Sequence, residues 1–188
     1  MDSSGRRHNR HSIRLRDYDY TQAGAYFVTI CSWSRECLFG DVIDGKIQFN
    51  EYGQIVQECW DAIPEHFIGI KLENHIVMPN HVHLIILIVE NGRGMACHAP
   101  TDRQFGKPIS NSLSTIIGSF KSAVTKRINQ IRNTPNVPVW QRNYYEHIIR
   151  NEDELNRIQE YIINNPLQWA DDENNPMNIK HNNIKAII

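Results

Sequence analysis

The alternation of apolar and polar positions along the chain predicts several short strands. Residues 26–33 are rich in β-branched and aromatic side chains, which favour an extended strand. An Asp-Gly pair at 44–45 lies between two short apolar segments and predicts a type I′ hairpin. Residues 70–78 and 81–89 predict two further strands around a tight turn. The second is apolar on both faces from residue 84 onwards, which is typical of a central strand.

Apolar residues spaced three and four positions apart predict three helices. The first helix covers residues 51–62 and follows the capping residue Asn50. The second is a long amphipathic helix over residues 113–131. The third covers residues 152–164 and begins after the motif Asn151-x-x-Glu154, which predicts a capping box. Prolines follow the first and third segments within a few residues and mark where these helices end.

The order of these elements predicts one α+β domain. Residues 139–150 supply a last strand before the third helix, and short turns between sequential strands favour an antiparallel sheet with helices packed on one face. We expect a flexible basic arm over 1–16, a single folded domain over 17–169 with a mobile loop at about 91–111, and a polar C-terminal tail over 170–188.

Composition is ordinary for one globular domain, but the charge is unevenly distributed. The chain has 188 residues, of which 40% are hydrophobic and 22% charged, and its formal net charge is −1. Counted by segment, the charge is +4 over 1–16, −8 over 17–102, +7 over 103–150 and −4 over 151–188. The near-zero total therefore conceals a basic middle and a basic arm, which suit a nucleic-acid partner.

The cysteines and the apolar runs bear on location. Cys31, Cys37, Cys59 and Cys97 form no CxxC pair, and no secretory hydrophobic region follows the first residue. The longest apolar run, residues 84–89, is far too short to span a bilayer. We therefore expect reduced thiols in a cytoplasmic protein that does not insert into a membrane.

His81-Val82-His83 is the sharpest chemical feature of the sequence. Residues i and i+2 of a strand point to the same face, so both imidazoles project together and can bind one divalent ion. The alternative is a pair of structural histidines satisfied by hydrogen bonds. His75 could extend such a site, although a structural role is the expectation for it.

Tyr161 and Asn165 lie four residues apart on the shoulder of the third predicted helix. A tyrosine there can pack its ring while its hydroxyl reaches a site, and an amide oxygen is a hard ligand suited to Mg²⁺ or Mn²⁺. The alternative is a boundary tyrosine and a helix-terminal asparagine. Tyr144 and Tyr145 are rival nucleophiles that point to opposite faces of their strand.

These features together indicate phosphate chemistry. A cation with open positions can polarise a phosphodiester, and a tyrosine hydroxyl can attack phosphorus to form a covalent phosphotyrosine. Aromatic residues of the basic segment, Trp140, Tyr144, Tyr145 and His147, suit unstacked bases. The alternative for the basic charge is a solvated helix face. The candidate DNA-binding residues are Lys121, Lys126, Arg127, Arg142, His147 and Arg150.

Three strings resemble one known family: MPNHVHLI, SFKSAVTKRIN and VWQRNYYEHIIRNEDELNRIQEYIINNP. Over residues 18–169 the chain resembles the single-tyrosine HUH transposases, in particular the REP-associated tyrosine transposase group. The resemblance implies a ferredoxin-like antiparallel sheet, as in HUH endonucleases. It also implies that His81 and His83 bind the metal, that Tyr161 is the nucleophile, and that Asn165 is the third ligand.

The resemblance further implies cleavage of single-stranded DNA near a hairpin, giving a 5′-phosphotyrosine and a free 3′-hydroxyl. Rejoining reverses that step with Mg²⁺ or Mn²⁺ as the cofactor, and the protein works as a monomer or as a homodimer that exchanges the tyrosine helix. Two alternatives stay open. One is a domesticated protein that binds hairpins without catalysis. The other is a metal-dependent hydrolase, although a histidine-triad enzyme would need histidine where Ile85 stands.

Overall fold

The structure is a computed structural model and describes residues 22–89 and 112–178. The predicted basic arm over 1–16 and the predicted loop over 91–111 lie outside the described residues, as does Cys97. The predicted domain boundaries therefore stay predictions.

A four-stranded antiparallel sheet forms the centre of the fold, in the order β4-β5-β1-β6, and a separate hairpin pairs β2 with β3. The strands are β1 (Gly24–Cys31), β2 (Gly40–Ile43), β3 (Lys46–Phe49), β4 (Ile70–Val77), β5 (His81–Ile88) and β6 (Tyr145–Ile149). Asp44 and Gly45 both have positive φ angles, 51° and 69°, as the type I′ turn predicted between β2 and β3 requires.

Four α-helices accompany the strands in the described part of the chain. They are α1 (Glu51–Asp61), α2 (Ile63–His66), α3 (Leu113–Ile131) and α4 (Glu152–Asn164), and 3₁₀ turns lie at Trp33–Arg35 and Trp169–Asp171. The side chain of Asn50 accepts hydrogen bonds from the first backbone N–H groups of α1, as predicted. No helix within residues 22–89 and 112–178 is long and apolar enough to cross a membrane.

Helices cover both faces of the sheet, which corrects one detail of the predicted architecture. The large core joins one sheet face to α1 and α3. A smaller cluster on the opposite face joins Phe27, Ile85 and Ile149 to Ile162 of α4. The α+β class and the antiparallel sheet are confirmed, but packing on one face is wrong for α4. The reason is that β5 is apolar on both faces, so each face needs a cover.

The strand register brings the chemically interesting side chains to the α4 face. Thr29 of β1 lies opposite His83 on one side and opposite Tyr145 on the other. Residues directly opposite in antiparallel strands point to the same face. Phe27 lies two residues from Thr29 on that same face. The paired histidines, Thr29, Phe27 and Tyr145 therefore share the surface on which α4 packs.

Candidate active site

His81 and His83 begin β5 and are both buried. Their Nε2 atoms lie 3.0 Å apart. Nδ1 of His81 is 2.9 Å from the Asn80 side-chain oxygen, and Nδ1 of His83 is 2.8 Å from the Thr29 hydroxyl. Since a carbonyl oxygen only accepts, His81 carries its proton on Nδ1 and presents a bare Nε2. Second contacts of this kind orient the imidazoles of metal-binding histidines.

Both histidines are neutral near pH 7. Burial lowers the pKa of His81 to about 4, with the charge of Asp172 acting in the opposite direction and that of Arg35 in the same direction. Burial is the main cause that lowers the pKa of His83 well below its ordinary value, and the charge of the neighbouring His81 acts in the same direction. A neutral imidazole is the form that binds metals, so the pair is available to a cation without losing a proton.

Tyr161 of α4 lies directly over the histidine pair. Its hydroxyl is 3.2 Å from Nε2 of His83, and the two rings are 5.1 Å apart. Tyr161 is 41% exposed and lines a cavity that a substrate could enter. Burial of part of the side chain, together with the charges of Asp172 and Glu173, raises the pKa of Tyr161 to about 12. The hydroxyl therefore keeps its proton at neutral pH and has to lose it in order to act as a nucleophile.

Asn165 follows the last turn of α4 and is 1% exposed. Its Nδ2 donates to Oδ2 of Asp172 at 3.3 Å, while its Oδ1 has no hydrogen-bond partner in the described part of the chain. The amide contributes to the pKa of His81 and of Tyr161, so it lies beside both side chains. A buried oxygen without a partner is costly unless a ligand or an ion satisfies it.

The donor set fits a divalent cation. It consists of two neutral imidazole nitrogens, from His81 and His83, and the unpartnered amide oxygen of Asn165. Within residues 22–89 and 112–178, no three His, Cys, Asp or Glu side chains cluster closely enough to hold a metal. A metal at this position would therefore rely on an amide as its third protein ligand.

Residues that the sequence analysis did not identify support this site. Nδ2 of Asn80 donates to the backbone oxygens of Arg35 and Asn174, at 3.0 and 2.7 Å. The Arg35 guanidinium donates to Oδ1 of Asn174 at 2.6 Å, and the Asn174 backbone N–H donates to Oδ1 of Asp172 at 2.6 Å. Thr29 and Asn80 could have been found from the strand pairing and from adjacency to His81. No pattern in the sequence marks Arg35, Asp172 or Asn174.

A cavity and a groove lie next to the site. A cavity of about 440 Å³ opens beside Tyr161, and a groove of about 750 Å³ runs between α3 and the segment 133–142. Gln141 lines both, so the groove adjoins the cavity. The strand residues that line the cavity are Phe27, Thr29, Cys31, His83 and Tyr145, and residues outside the strands that line it include Arg35, Glu173 and Asn174.

Three of the six predicted DNA-binding residues line the groove. Lys126 and Arg142 are exposed there. Lys121 also lines it, but its ammonium group donates to the backbone oxygens of Gln141 and Arg142, at 2.7 and 3.1 Å. Burial lowers the pKa of Lys121. The structure thus assigns Lys121 to holding the groove wall, and leaves Lys126 and Arg142 as its exposed charges.

The other three predicted DNA-binding residues lie elsewhere. Arg127 pairs with Glu58 of α1, away from the groove. Nε2 of His147 is 2.7 Å from Oε1 of Glu154, and the Arg150 backbone N–H donates to Oε2 of the same carboxylate at 2.7 Å. Glu154 thereby joins β6 to the first turn of α4. Of the predicted capping box, the Asn151 half forms, while Glu154 bonds to the neighbouring Arg150 instead.

The aromatic residues of the basic segment differ in availability. Trp140 is buried and packs against Phe39 with ring centroids 4.9 Å apart, so the expectation that it stacks on bases is wrong. Tyr144 and Tyr145 point to opposite faces, as predicted, and Tyr144 packs against the large core. Tyr145 is 53% exposed and makes an edge contact with Phe27 at 6.3 Å. Tyr145 is therefore the most exposed of these aromatic side chains.

His75 does not belong to the site. Its Nε2 is 2.9 Å from Oε1 of Gln57, and its ring lies 5.3 Å from that of Trp60. These contacts are with α1, on the opposite side of the sheet from Tyr161. The structural role expected for His75 agrees with this placement.

Paired histidines on a central strand, beneath a helix-borne tyrosine and asparagine, are the arrangement that defines the HUH class in the resemblance above. No family model matches the chain. An uncharacterised protein of Haemophilus influenzae is 42% identical over 170 residues, covering 88% of this chain and 93% of that protein. A second H. influenzae protein, provisionally named a REP-associated tyrosine transposase, is 25% identical over 175 residues, covering 90% and 87%.

A solved REP-associated tyrosine transposase, described as bound to a REP hairpin, has a similar fold. The TM-score is 0.56 at 18% identity, over 82% of this chain and 73% of the other. The chain belongs to the same family as the 42% identical H. influenzae protein. Its resemblance to the REP-associated tyrosine transposases is confirmed.

Proposed function

We propose that the protein is a metal-dependent transposase that cleaves and rejoins single strands of hairpin-bearing DNA. One observation carries the proposal. The Tyr161 hydroxyl lies 3.2 Å from Nε2 of His83, which itself lies 3.0 Å from Nε2 of His81. A nucleophile that directly contacts a pair of cation-binding residues can act on the same phosphate as the bound cation.

His81, His83 and Asn165 would hold Mg²⁺ or Mn²⁺. The bound cation would act as a Lewis acid on a phosphodiester oxygen. The other residues of the chain keep the two imidazoles oriented and neutral. The Asn80 and Thr29 contacts orient the imidazoles, and burial keeps them neutral.

Tyr161 would form the covalent intermediate. Its oxygen bonds to phosphorus as the bond from phosphorus to the 3′-oxygen breaks. The tyrosine hydroxyl loses its proton to solvent, and the departing 3′-oxygen takes one up, which gives a free 3′-hydroxyl and a 5′-phosphotyrosine. In the reverse step a 3′-hydroxyl attacks the phosphotyrosine and releases Tyr161, so the bond energy is conserved for rejoining.

The DNA strand would reach the site along the basic groove. Lys126 and Arg142 are exposed on its walls, and the groove adjoins the cavity beside Tyr161. Within that cavity, Tyr145 offers an exposed ring to a base and Arg35 a positive charge to a phosphate. The bound REP hairpin in the solved neighbour supports a hairpin as the substrate.

A hairpin-binding protein without catalytic activity is the second candidate. The carboxylates of Asp172 and Glu173 favour it, because both raise the pKa of Tyr161 and repel an incoming phosphate. A bound cation would offset both effects. The presence or absence of cleavage with metal therefore separates the two functions.

The test uses hairpin-bearing single strands labelled at the 3′ end, because a 5′-phosphotyrosine keeps the downstream fragment on the protein. With Mn²⁺, the wild-type protein and the matched control Tyr145→Phe should both form a labelled covalent adduct. Tyr161→Phe and chelation should each abolish it. Hairpin binding without cleavage under any metal would support the second candidate. A free 5′-phosphate product with no adduct would instead indicate a hydrolase.

A further inference from the structure

We propose that Asp172 is a positioning residue that turns the Asn165 amide so that its oxygen, rather than its nitrogen, faces the histidine pair. This inference rests on the proposed role of Asn165 as a metal ligand. An amide has two ends of similar shape and opposite hydrogen-bonding character, so only its surroundings can decide which end points at a cation.

The contacts of Asp172 leave the amide one orientation. Oδ1 of Asp172 accepts the Asn174 backbone N–H at 2.6 Å, which fixes the carboxylate. Oδ2 then lies 3.3 Å from Nδ2 of Asn165. A carboxylate only accepts hydrogen bonds, so turning the amide over would set two oxygens against each other in a buried position. Oδ1 of Asn165 consequently lies on the other side, where no described residue is its hydrogen-bond partner.

The same short segment also supports His81. The Asn174 backbone oxygen accepts from Nδ2 of Asn80, and Oδ1 of Asn80 is the partner of Nδ1 of His81. The carboxylate of Asp172 also raises the pKa of His81 and Tyr161, so it lies close enough to act on both. Orientation and charge are separate contributions to cation binding, and an experiment has to distinguish them.

The experiment measures Mn²⁺ affinity of the metal-free protein by calorimetry, without DNA. Asp172→Asn keeps the shape, but its amide nitrogen faces that of Asn165 and favours the turned-over amide. We expect binding about 10- to 100-fold weaker than in the wild type. The matched control Glu173→Gln removes a neighbouring exposed charge, whereas the hydrogen bond to Asn165 in the described part of the chain comes from Asp172. Its Mn²⁺ affinity should stay within about twofold of the wild type. Thermal unfolding without metal checks that each variant is folded.

A second background isolates orientation. A carboxylate at position 165 offers oxygen at both ends, so in the Asn165→Asp background the further change Asp172→Asn should no longer weaken Mn²⁺ binding. An equal loss in both backgrounds would overturn the inference, as would an equal loss for Asp172→Asn and Glu173→Gln. If Asp172→Asn binds Mn²⁺ as tightly as the wild type, this inference is overturned but the proposed metal site is not. Absence of Mn²⁺ binding by the wild type would overturn the proposed metal site together with it.

Discussion

At the scale of single residues, the site depends on histidines held neutral inside the protein. His81 and His83 stand at the start of the most apolar strand, where burial opposes a positive charge. Their outward nitrogens face each other, while Asn80 and Thr29 engage the inward ones. The pairing of the histidines could be predicted from their i, i+2 spacing. Thr29 and Asn80 could be found from strand pairing and from adjacency to His81. The groups that hold Asn80 could not, because no sequence pattern marks Arg35 or Asn174 as its hydrogen-bond partners.

The neutral histidines make the stability of the metal-free protein depend on pH. The folded-state pKa of His81 is about 4, below the ordinary value of 6.5, so the unfolded chain binds more protons between these values. Stability should therefore be full above about pH 6.5 and fall towards pH 4, by on the order of 3 kcal/mol for His81. Urea unfolding in chelator across this range measures it. A free energy of unfolding that stays level from pH 7 to pH 4 would contradict the assignment.

Thr29 offers a test of the second contact to His83. Thr29→Val keeps the shape and removes the hydroxyl that lies 2.8 Å from Nδ1 of His83. We expect Mn²⁺ affinity to fall about 10-fold, since such contacts orient metal-binding imidazoles. The free energy of unfolding should fall by only about 1 kcal/mol. Thr29→Ser is the matched control and should restore the affinity. Equal affinities for Thr29→Val and the wild type would show that this hydroxyl does not position His83.

At the scale of elements, the decisive feature is that α4 covers the second face of the sheet. Its limits, residues 152–164, were predicted correctly from the Asn151 cap and the apolar spacing. The face of the sheet on which α4 packs could not be predicted, because a strand that is apolar on both faces does not reveal which helix covers which face. The segment 172–174 has no periodicity and makes its contacts through side-chain and backbone polar groups, so hydrophobic patterning could not find it.

Two neighbouring isoleucines on α4 test this packing. Ile162 is 1% exposed in the smaller core cluster, whereas Ile163 is 62% exposed. Ile162→Ala should lower the free energy of unfolding by about 2–4 kcal/mol because it leaves a cavity beneath the helix. Ile163→Ala, with the same change of side chain, should stay within about 0.5 kcal/mol. Denaturant unfolding of the two variants measures the difference, and similar losses would contradict the packing of α4 on this face.

At the scale of the whole molecule, the distribution of charge is more informative than its sum. The net charge of −1 hides a segment of +7 over residues 103–150. In the described part of that segment, some basic side chains make contacts within the protein and others are exposed. Arg127 pairs with Glu58 and Lys121 holds the groove wall, while Lys126 and Arg142 remain exposed in the groove. A sequence count could locate the basic segment but could not separate structural charges from exposed ones.

The salt dependence of DNA binding tests this division. Lys126→Gln and Arg142→Gln should each weaken binding to a hairpin with a single-stranded flank. Each should also reduce the slope of log affinity against log salt by about 0.7 to 1, the effect of one lost phosphate contact. Arg127→Gln is the matched control and should change the slope little, because Arg127 already pairs with Glu58. Fluorescence anisotropy at several salt concentrations measures the slopes. The groove would not be the DNA path if Arg127→Gln reduced the slope as much as the other two.

The central claim is that Tyr161 attacks a phosphodiester and holds the DNA covalently. Intact-protein mass spectrometry after incubation with a hairpin-bearing single strand and Mn²⁺ tests it most directly. We predict a mass increase equal to the downstream DNA fragment, and peptide mapping should locate that fragment on the peptide that contains Tyr161. Cleaved DNA together with unmodified protein, or an adduct on the peptide that contains Tyr145, would contradict the account.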